Sequence, residues 1–395
     1  MKNTETARAA REPGMARRDF LCKSVAIALP ATLAGFAKPL FAAVTSEGVA
    51  VSTYTLPALA RGDTVLNVRG YGALGDGNSN DTAAIQRAIN ALPSTGGTVD
   101  IPAGTYLIDA VTSVRLRSNM HLRLAPDAVL VAIPNSAEQY SVLYASKQHD
   151  VEISGGRIIG ERDGHSGTTG EWGRGVFIRG SSNVIVRDMH ISNCWGDGLV
   201  VAGASVWQAP PVPAANVVVA NVVSTGNRRQ AMSVGYVRGV KVYDSEFSYS
   251  NGTSPQCGVD IEPENGNIAY QVLFRNCWVH GNARYGMLLY KGAKSVTVDR
   301  CTVENNGSCG IVTRNAVASY ISNNTIRNNS ATGIFIQDGT SNCQVSRNIF
   351  SGNYSRQGVV TRTAFTLDGW SSKIERDIYI YSDTSDIRIT TNYYR

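Results

Sequence analysis

The sequence predicts an all-β chain, wound as a right-handed single-stranded parallel β-helix with an N-terminal capping α-helix. Three features predict it: an internal period of about two dozen residues, an asparagine that closes each repeat, and a composition of 39 glycines with only 17% charged residues. That composition suits many short strands joined by tight turns. A chain of 395 residues has room for several domains, yet solenoids of this length run as one continuous core.

The repeats are clearest in mid-chain. Apolar lines begin at Val184, Val217, Val240, Val272, Val296 and Tyr320, at spacings of 33, 23, 32, 24 and 24 residues. They close on Asn193, Asn227, Asn251, Asn282, Asn306 and Asn329. A short alternating strand follows each, opened by Gly198, Ala231, Gly258, Gly286, Gly310 or Gly333. Two short strands, a bend and a third strand use up that length. Alternate side chains then point inward and stack on the next coil about 4.8 Å away, so each coil buries its apolar face only against its neighbours. Asn suits the bend because it tolerates left-handed backbone and can bond its own turn or the next amide. Leucine-rich repeats need a denser leucine pattern and propeller blades a longer period, which excludes both.

Two coils are longer than the rest. The extra residues, 203–216 with Pro210, Pro211 and Pro213, and 251–256 together with 264–270, are expected to project as loops beside the third strand. Upstream, Asp81 is placed as the N-cap of a helix that carries Ile85, Ile89 and Leu92 on one face and stops at Pro93. Such a helix plugs the open end of a solenoid, whose terminal coil otherwise exposes apolar side chains.

Residues 1–43 are set aside from the fold. Arg17-Arg18, Phe20-Leu21 and Lys23 precede a moderately apolar stretch and a small-residue site near Ala42-Ala43, an order that resembles a twin-arginine export signal. The stretch is too short and too rich in Ala and Thr to span a bilayer, which needs about 20 strongly apolar residues. The expectation is a bacterial periplasmic or secreted protein, with a linker over 44–63 and the β-helix with a C-terminal cap over 64–395. The leader holds seven Lys/Arg and three Asp/Glu, leaving 30 basic and 28 acidic residues. A remainder so nearly neutral gives no ground for nucleic-acid or membrane-surface binding. Of seven cysteines, Cys22 lies in the leader, and the others form no C-x-x-C or zinc-type spacing. Cys277 and Cys301 fall at the same place in consecutive repeats, as buried small side chains do.

Tyr71-Gly-Ala-Leu-Gly-Asp-Gly, Asp81-Thr-Ala-Ala-Ile-Gln and Gly96-Gly-Thr-Val-Asp-Ile-Pro-Ala-Gly-Thr-Tyr resemble the opening of the pectate-lyase superfamily. That superfamily includes polygalacturonase-like hydrolases, polysaccharide lyases, alginate C5-epimerases and phage tailspikes. The resemblance implies the fold and a polysaccharide partner over residues 64–355. It does not select a reaction, because function resides in sites rather than scaffolds.

The sharpest constellation is Cys257-Gly258-Val259-Asp260-Ile261-Glu262-Pro263-Glu264. With Val259 and Ile261 facing the core, Asp260 and Glu262 share the outer face, about 6.6 Å apart along the strand. The same register puts Gly235, Glu262, Tyr290, Arg314 and Gln337 in one outward column, and Ser233, Asp260, Leu288, Val312 and Phe335 in its neighbour. Asp260, Glu262 and Glu264 are therefore the candidate catalytic acids. Arg229, Arg284, Tyr290, Lys291 and Arg314 are the candidate substrate-binding residues, with Asp197 and, at a groove edge, His165.

Isolated acids at Asn/Gly bends are commonly just solvated turn residues, and Asp197 between Gly196 and Gly198 reads first that way. Three carboxylates in five residues repel one another and ask for a role. Carboxyl groups about 6.5 to 9.5 Å apart leave room for a water, so inverting hydrolysis is the geometric default, with one acid held protonated by its neighbours. Elimination instead needs a cation beside a uronate carboxylate and a base; Arg284, Lys291 and Arg314 keep it as the alternative, with calcium the one cofactor it would bring. Alginate epimerases carry Tyr-Gly-Phe-Asp-Pro-His-Glu. Asp260 matches its aspartate, but Cys257 stands for the tyrosine and Glu262 for the histidine. The Asn-Thr-Asp, Gly-His-Gly and Arg-Ile-Lys motifs of polygalacturonases do not occur, beyond an echo at Gly196-Asp197-Gly198. The contrasting class is a non-catalytic glycan-binding β-helix.

Overall fold

The structure, a computed structural model, describes residues 54–206, 209–353 and 377–395. The leader expected over 1–43 and most of the region expected to hold a C-terminal cap lie outside them. Successive strands pair in parallel with those one coil away. Val184 pairs with Val217, Val217 with Val240, Val240 with Val272 and Val272 with Val296, which are the repeat starts read from the sequence. The last line is offset by one residue, because Val296 pairs with Ser319 and Tyr320 with Thr297. Ser319 is fully buried where the pattern asks for an apolar side chain, and Tyr320 is outward and exposed.

The third strands stack as a separate ten-stranded parallel sheet that includes Trp172–Arg179, Leu199–Ala202, Met232–Val234, Val259–Ile261, Met287–Leu289 and Ile311–Arg314. Val259 and Ile261 are fully buried in the core, as are Met232, Val234, Met287 and Leu289. The residues between them, Ser233, Asp260, Leu288, Val312 and Phe335, form the expected outward column.

Of the bend asparagines, Asn193 is itself left-handed, but Asn227, Asn251, Asn282, Asn306 and Asn329 are not. Gly281, Asn305, Asn328 and Gly352 take positive φ, and the next residue in each case, Asn282, Asn306, Asn329 or Asn353, turns inward. There the side chains form a buried ladder in which each Nδ2 donates at 2.9 Å to the Oδ1 of the next asparagine. Asn353 ends it by donating to Asp377 at 2.8 Å. The ladder explains the small residue that opens each third strand: a Cβ on Gly258 would lie 2.7 Å from Asn282 Nδ2 and 2.5 Å from Val279 Cγ1.

The N-terminal helix runs Thr82–Ala91 and buries Ile85 and Ile89 in the core. Asp81 precedes it without capping it. Its carboxylate accepts instead from the Leu74 and Gly75 amides at 2.6 and 2.9 Å, while Asn80 Oδ1 accepts from Thr82 N at 3.1 Å. The stretch expected as a linker is anchored in its described part. Tyr54 stacks on Tyr243 at 4.8 Å, Leu56 and Leu59 pack over Ile185, Val218 and Ala220, and Arg61 pairs with Glu152. All six described cysteines are buried and free. No described helix is long and apolar enough to cross a membrane.

Candidate active site

Two clefts open on the outer face of the ten-stranded sheet and share one wall, the Glu262, Glu264, Asn265 and Asn267 side chains of the insertion after Val259–Ile261. The first, of about 320 Å³, is lined by Asp197, Arg229, Gln230, Ser233 and Asp260 on its floor, with Trp172, Arg174, Phe177, Arg179 and Tyr236 around it. The second, of about 560 Å³, takes in Tyr290, Lys291 and Lys294. The outward column of Glu262, Tyr290 and Arg314 expected from the sequence thus does not line one cleft, because the Glu262–Pro263–Glu264 segment stands between the two.

The floor is one hydrogen-bonded group. Arg229 Nη1 lies 3.0 Å from Asp197 Oδ2 and donates at 2.9 Å to Gln230 Oε1. Ser233 Oγ lies 2.9 Å from the same Asp197 oxygen and also against Gln230 Oε1, its one proton shared between the two acceptors. With its carbonyl occupied by two donors, the Gln230 amide presents Nε2 to Asp260 Oδ2. Asp260 Oδ1 is left buried with no hydrogen-bond partner. Asp260 therefore faces outward as expected, but it is only 2% exposed, beneath the cleft rather than on its rim.

This burial sets the proton inventory. Removal from water, the nearby Glu262 charge and Asp197 push the Asp260 carboxyl well above the usual carboxylate range, against the pull of Arg229 and Gln230. Burial also raises Asp197, opposed by the Arg229 charge and the Ser233 hydroxyl. Burial disfavours the Arg229 cation, yet Asp197, Glu171, Asp260 and Glu262 together hold it firmly protonated. Arg174 is disfavoured chiefly by burial, and Arg229 adds to that. It donates to Trp172 O at 3.1 Å and lies over the Phe177 ring at 4.5 Å. Arg179 donates to the Tyr144 hydroxyl at 3.2 Å. Both guanidinium groups line the first cleft.

The other candidates are placed as follows. Asp197, Arg229, Asp260, Glu262 and Glu264 line the first cleft, and Tyr290 and Lys291 the second. Arg314 borders neither cleft; it sits 5.8 Å over the Tyr290 ring and 3.5 Å from Asp338. Arg284 also lies away from both, on the bend line, with its guanidinium over Tyr285 at 4.6 Å. His165 is not a groove edge. Its side chain is enclosed, stacked at 3.8 Å on Trp195 and bonded to Glu161 at 2.9 Å, because Trp195 from the following coil covers it. Asp197 is more than a turn residue, since it is buried and ion-paired. Among the described residues, no three His, Cys, Asp or Glu side chains converge in a group that could hold a metal.

Sequence reasoning missed Gln230, Arg174 and Arg179. Gln230 precedes the Ala231-Met-Ser-Val strand by one position, in register with Asp197, so the repeat pattern did contain its place. Nothing in the pattern gave its amide orientation.

Residues 174–316 and 215–393, together more than half of the chain, match the family model described as right handed beta helix region. Residues 65–147 match the model for rhamnogalacturonase A/epimerase, pectate lyase-like. The chain belongs to the right-handed β-helix family, with a pectate-lyase-like opening. Its sequence is 27% identical over 362 residues to YclG of Bacillus subtilis, covering 83% of this chain and 62% of that protein. Mannuronan C5-epimerase AlgE2 of Azotobacter vinelandii is 26% identical over 58% of this chain and 23% of the epimerase. An exo-poly-α-D-galacturonosidase of Dickeya chrysanthemi is 35% identical over 27% of this chain and 17% of the enzyme. The chain thus spans less than two thirds of each of these relatives. The A-module of the Azotobacter vinelandii epimerase AlgE4 superposes with a TM-score of 0.60 at 21% identity, over 84% of this chain and 97% of the module. The Streptococcus pneumoniae adhesin PfbA superposes at 0.57 and 18% identity, over 84% and 97%.

Proposed function

We propose that this protein is an exported enzyme that cleaves a uronate-containing polysaccharide by acid/base chemistry in the first cleft, hydrolytically, with Asp260 as the proton donor. The observation that carries the reading is the Asp260 carboxyl itself. It is buried in the cleft floor, pushed toward its protonated form by burial and the neighbouring Glu262 charge, fixed at Oδ2 by Gln230 and unpartnered at Oδ1. A carboxyl kept neutral next to a second acid is what general-acid departure of a glycosidic oxygen requires. Glu262, half-buried and sharing the cleft, is the partner that activates water. Arg174 and Arg179 supply cations for a uronate carboxylate.

Those same cations favour elimination as the second reading, since neutralising the carboxylate acidifies the adjacent C–H. Among the relatives, the galacturonosidase and the mannuronan epimerase are named for uronate polymers, and PfbA for adhesion. Incubating the purified protein with polygalacturonate and with alginate, while following reducing ends and ultraviolet absorbance, separates the possibilities. New reducing ends without absorbance support hydrolysis; both together mean elimination. Neither signal, with an altered C5 configuration by proton NMR, means epimerisation; binding with none of the three, unchanged in Asp260→Asn, refutes the enzyme reading.

A further inference from the structure

We infer that Trp278, on a different face of the helix from the clefts, is the platform of a separate binding site for an uncharged pyranose ring of a glycan. Trp278–His280 is one of a stack of three-residue strands that also includes Glu246–Ser248, Thr302–Glu304 and Thr325–Arg327. Trp278 is 37% exposed, an uncommon position for the largest apolar side chain. It is also fixed in place. Its indole stacks on the His280 ring at 3.7 Å and 22°, and its Nε1 donates to Glu304 at 2.8 Å. His280 is buried beneath it and bonded to Glu246 at 3.1 Å, with Tyr249 edge-on at 5.1 Å. With His280 on one side, the exposed area of the indole is its opposite face, a flat apolar surface held at one orientation before any ligand arrives. Such pre-organisation spares the ordering cost of binding.

The surroundings select the ligand. Thr302 and Thr325 follow Trp278 in the same outward column, and Glu304 and Arg327 follow His280 in the next. Arg327 and Glu304 are paired at 2.5 Å, so the rim offers hydrogen-bonding groups with its charges already matched. An indole next to the exposed Tyr249 ring and within a polar rim suits a molecule with a flat C–H face and hydroxyls at its edge, rather than an apolar protein patch. Arg327 is taken up by Glu304, so it is not left to bind a uronate carboxylate. A β-glucan, whose equatorial hydroxyls leave both ring faces apolar, fits best.

The site stands independently of the reaction proposed above. The test is titration of full-length protein labelled with nitrogen-15 at tryptophan, following the Trp278 indole N–H, assigned with Trp278→Phe, against cellohexaose and a mannuronate hexamer. Saturable displacement of that resonance by cellohexaose is expected, with affinity, read by calorimetry, at least about tenfold weaker in Trp278→Ala and in Glu304→Leu, which takes away the acceptor that fixes the ring without removing the ring. Affinity unchanged in both variants, no displacement by cellohexaose, or displacement by the mannuronate hexamer alone would overturn the assignment.

Discussion

The side-chain amide of Gln230 is locked with its oxygen toward Arg229 and Ser233, and so donates its nitrogen to Asp260 Oδ2, leaving Oδ1 as the free oxygen of the carboxyl. A neutral amide between two buried acids leaves Asp197 paired with Arg229, while burial and Glu262 push Asp260 toward its protonated form. Replacing Gln230 with Leu removes a fully buried donor and acceptor and strands Asp260, while Ser233 and Arg229 keep Asp197. A loss of roughly 1–3 kcal/mol is expected, read as a lower urea midpoint. An unchanged midpoint would mean that the network is not formed.

The raised Asp260 pKa has a definite sign in stability. A folded value above the unfolded one, about 3.9, means the folded state binds more protons between the two, so stability falls as pH rises through that interval. Asp260→Asn removes this penalty. Its melting temperature is expected to match wild type near pH 4 and to exceed it increasingly toward neutrality. A gap that is constant or that shrinks with pH contradicts a protonated Asp260.

Arg229→Met leaves Asp197, 3% exposed at its side chain, without its cation. Removing one partner of a buried pair costs roughly 3 kcal/mol or more, and Arg229→Lys should recover part of it. Thermal unfolding of the two variants checks the order.

Asn306→Ala interrupts the buried ladder in both directions: the Asn282 backbone N–H and one Nδ2 hydrogen lose their acceptor, and Asn329 Oδ1 keeps only the backbone N–H of residue 306. A loss of roughly 1–3 kcal/mol per stranded group is expected, with glycan binding in the refolded protein unaltered. Calorimetry showing no shift would indicate that the ladder does not hold the coils.

Much of this was legible in the sequence because the β-helix writes its geometry as a period. The column Ser233–Asp260–Leu288–Val312–Phe335 follows from alternation alone, since a one-residue slip would bury every outward side chain. The slip at Tyr320 occurred where Ser319 takes an inward position without an apolar side chain. His165 was misplaced because its environment comes from Trp195, thirty residues on in a neighbouring coil, which no local pattern reports. Arg174 and Arg179 escaped because the strand Trp172–Arg179 precedes the clear repeats. The depth of Asp260 depends on what the 264–270 insertion and Gln230 cover, and loops have no period.

The central claim is that Asp260 gives up a proton during glycan cleavage, and turnover of Asp260→Asn measured beside its folding stability tests it most directly. The expected result, on whichever of polygalacturonate or alginate the wild type cleaves, is a fall in kcat of about 100-fold or more, with substrate affinity retained and neutral-pH stability equal or higher. Turnover within a few-fold of wild type in that folded variant would contradict it.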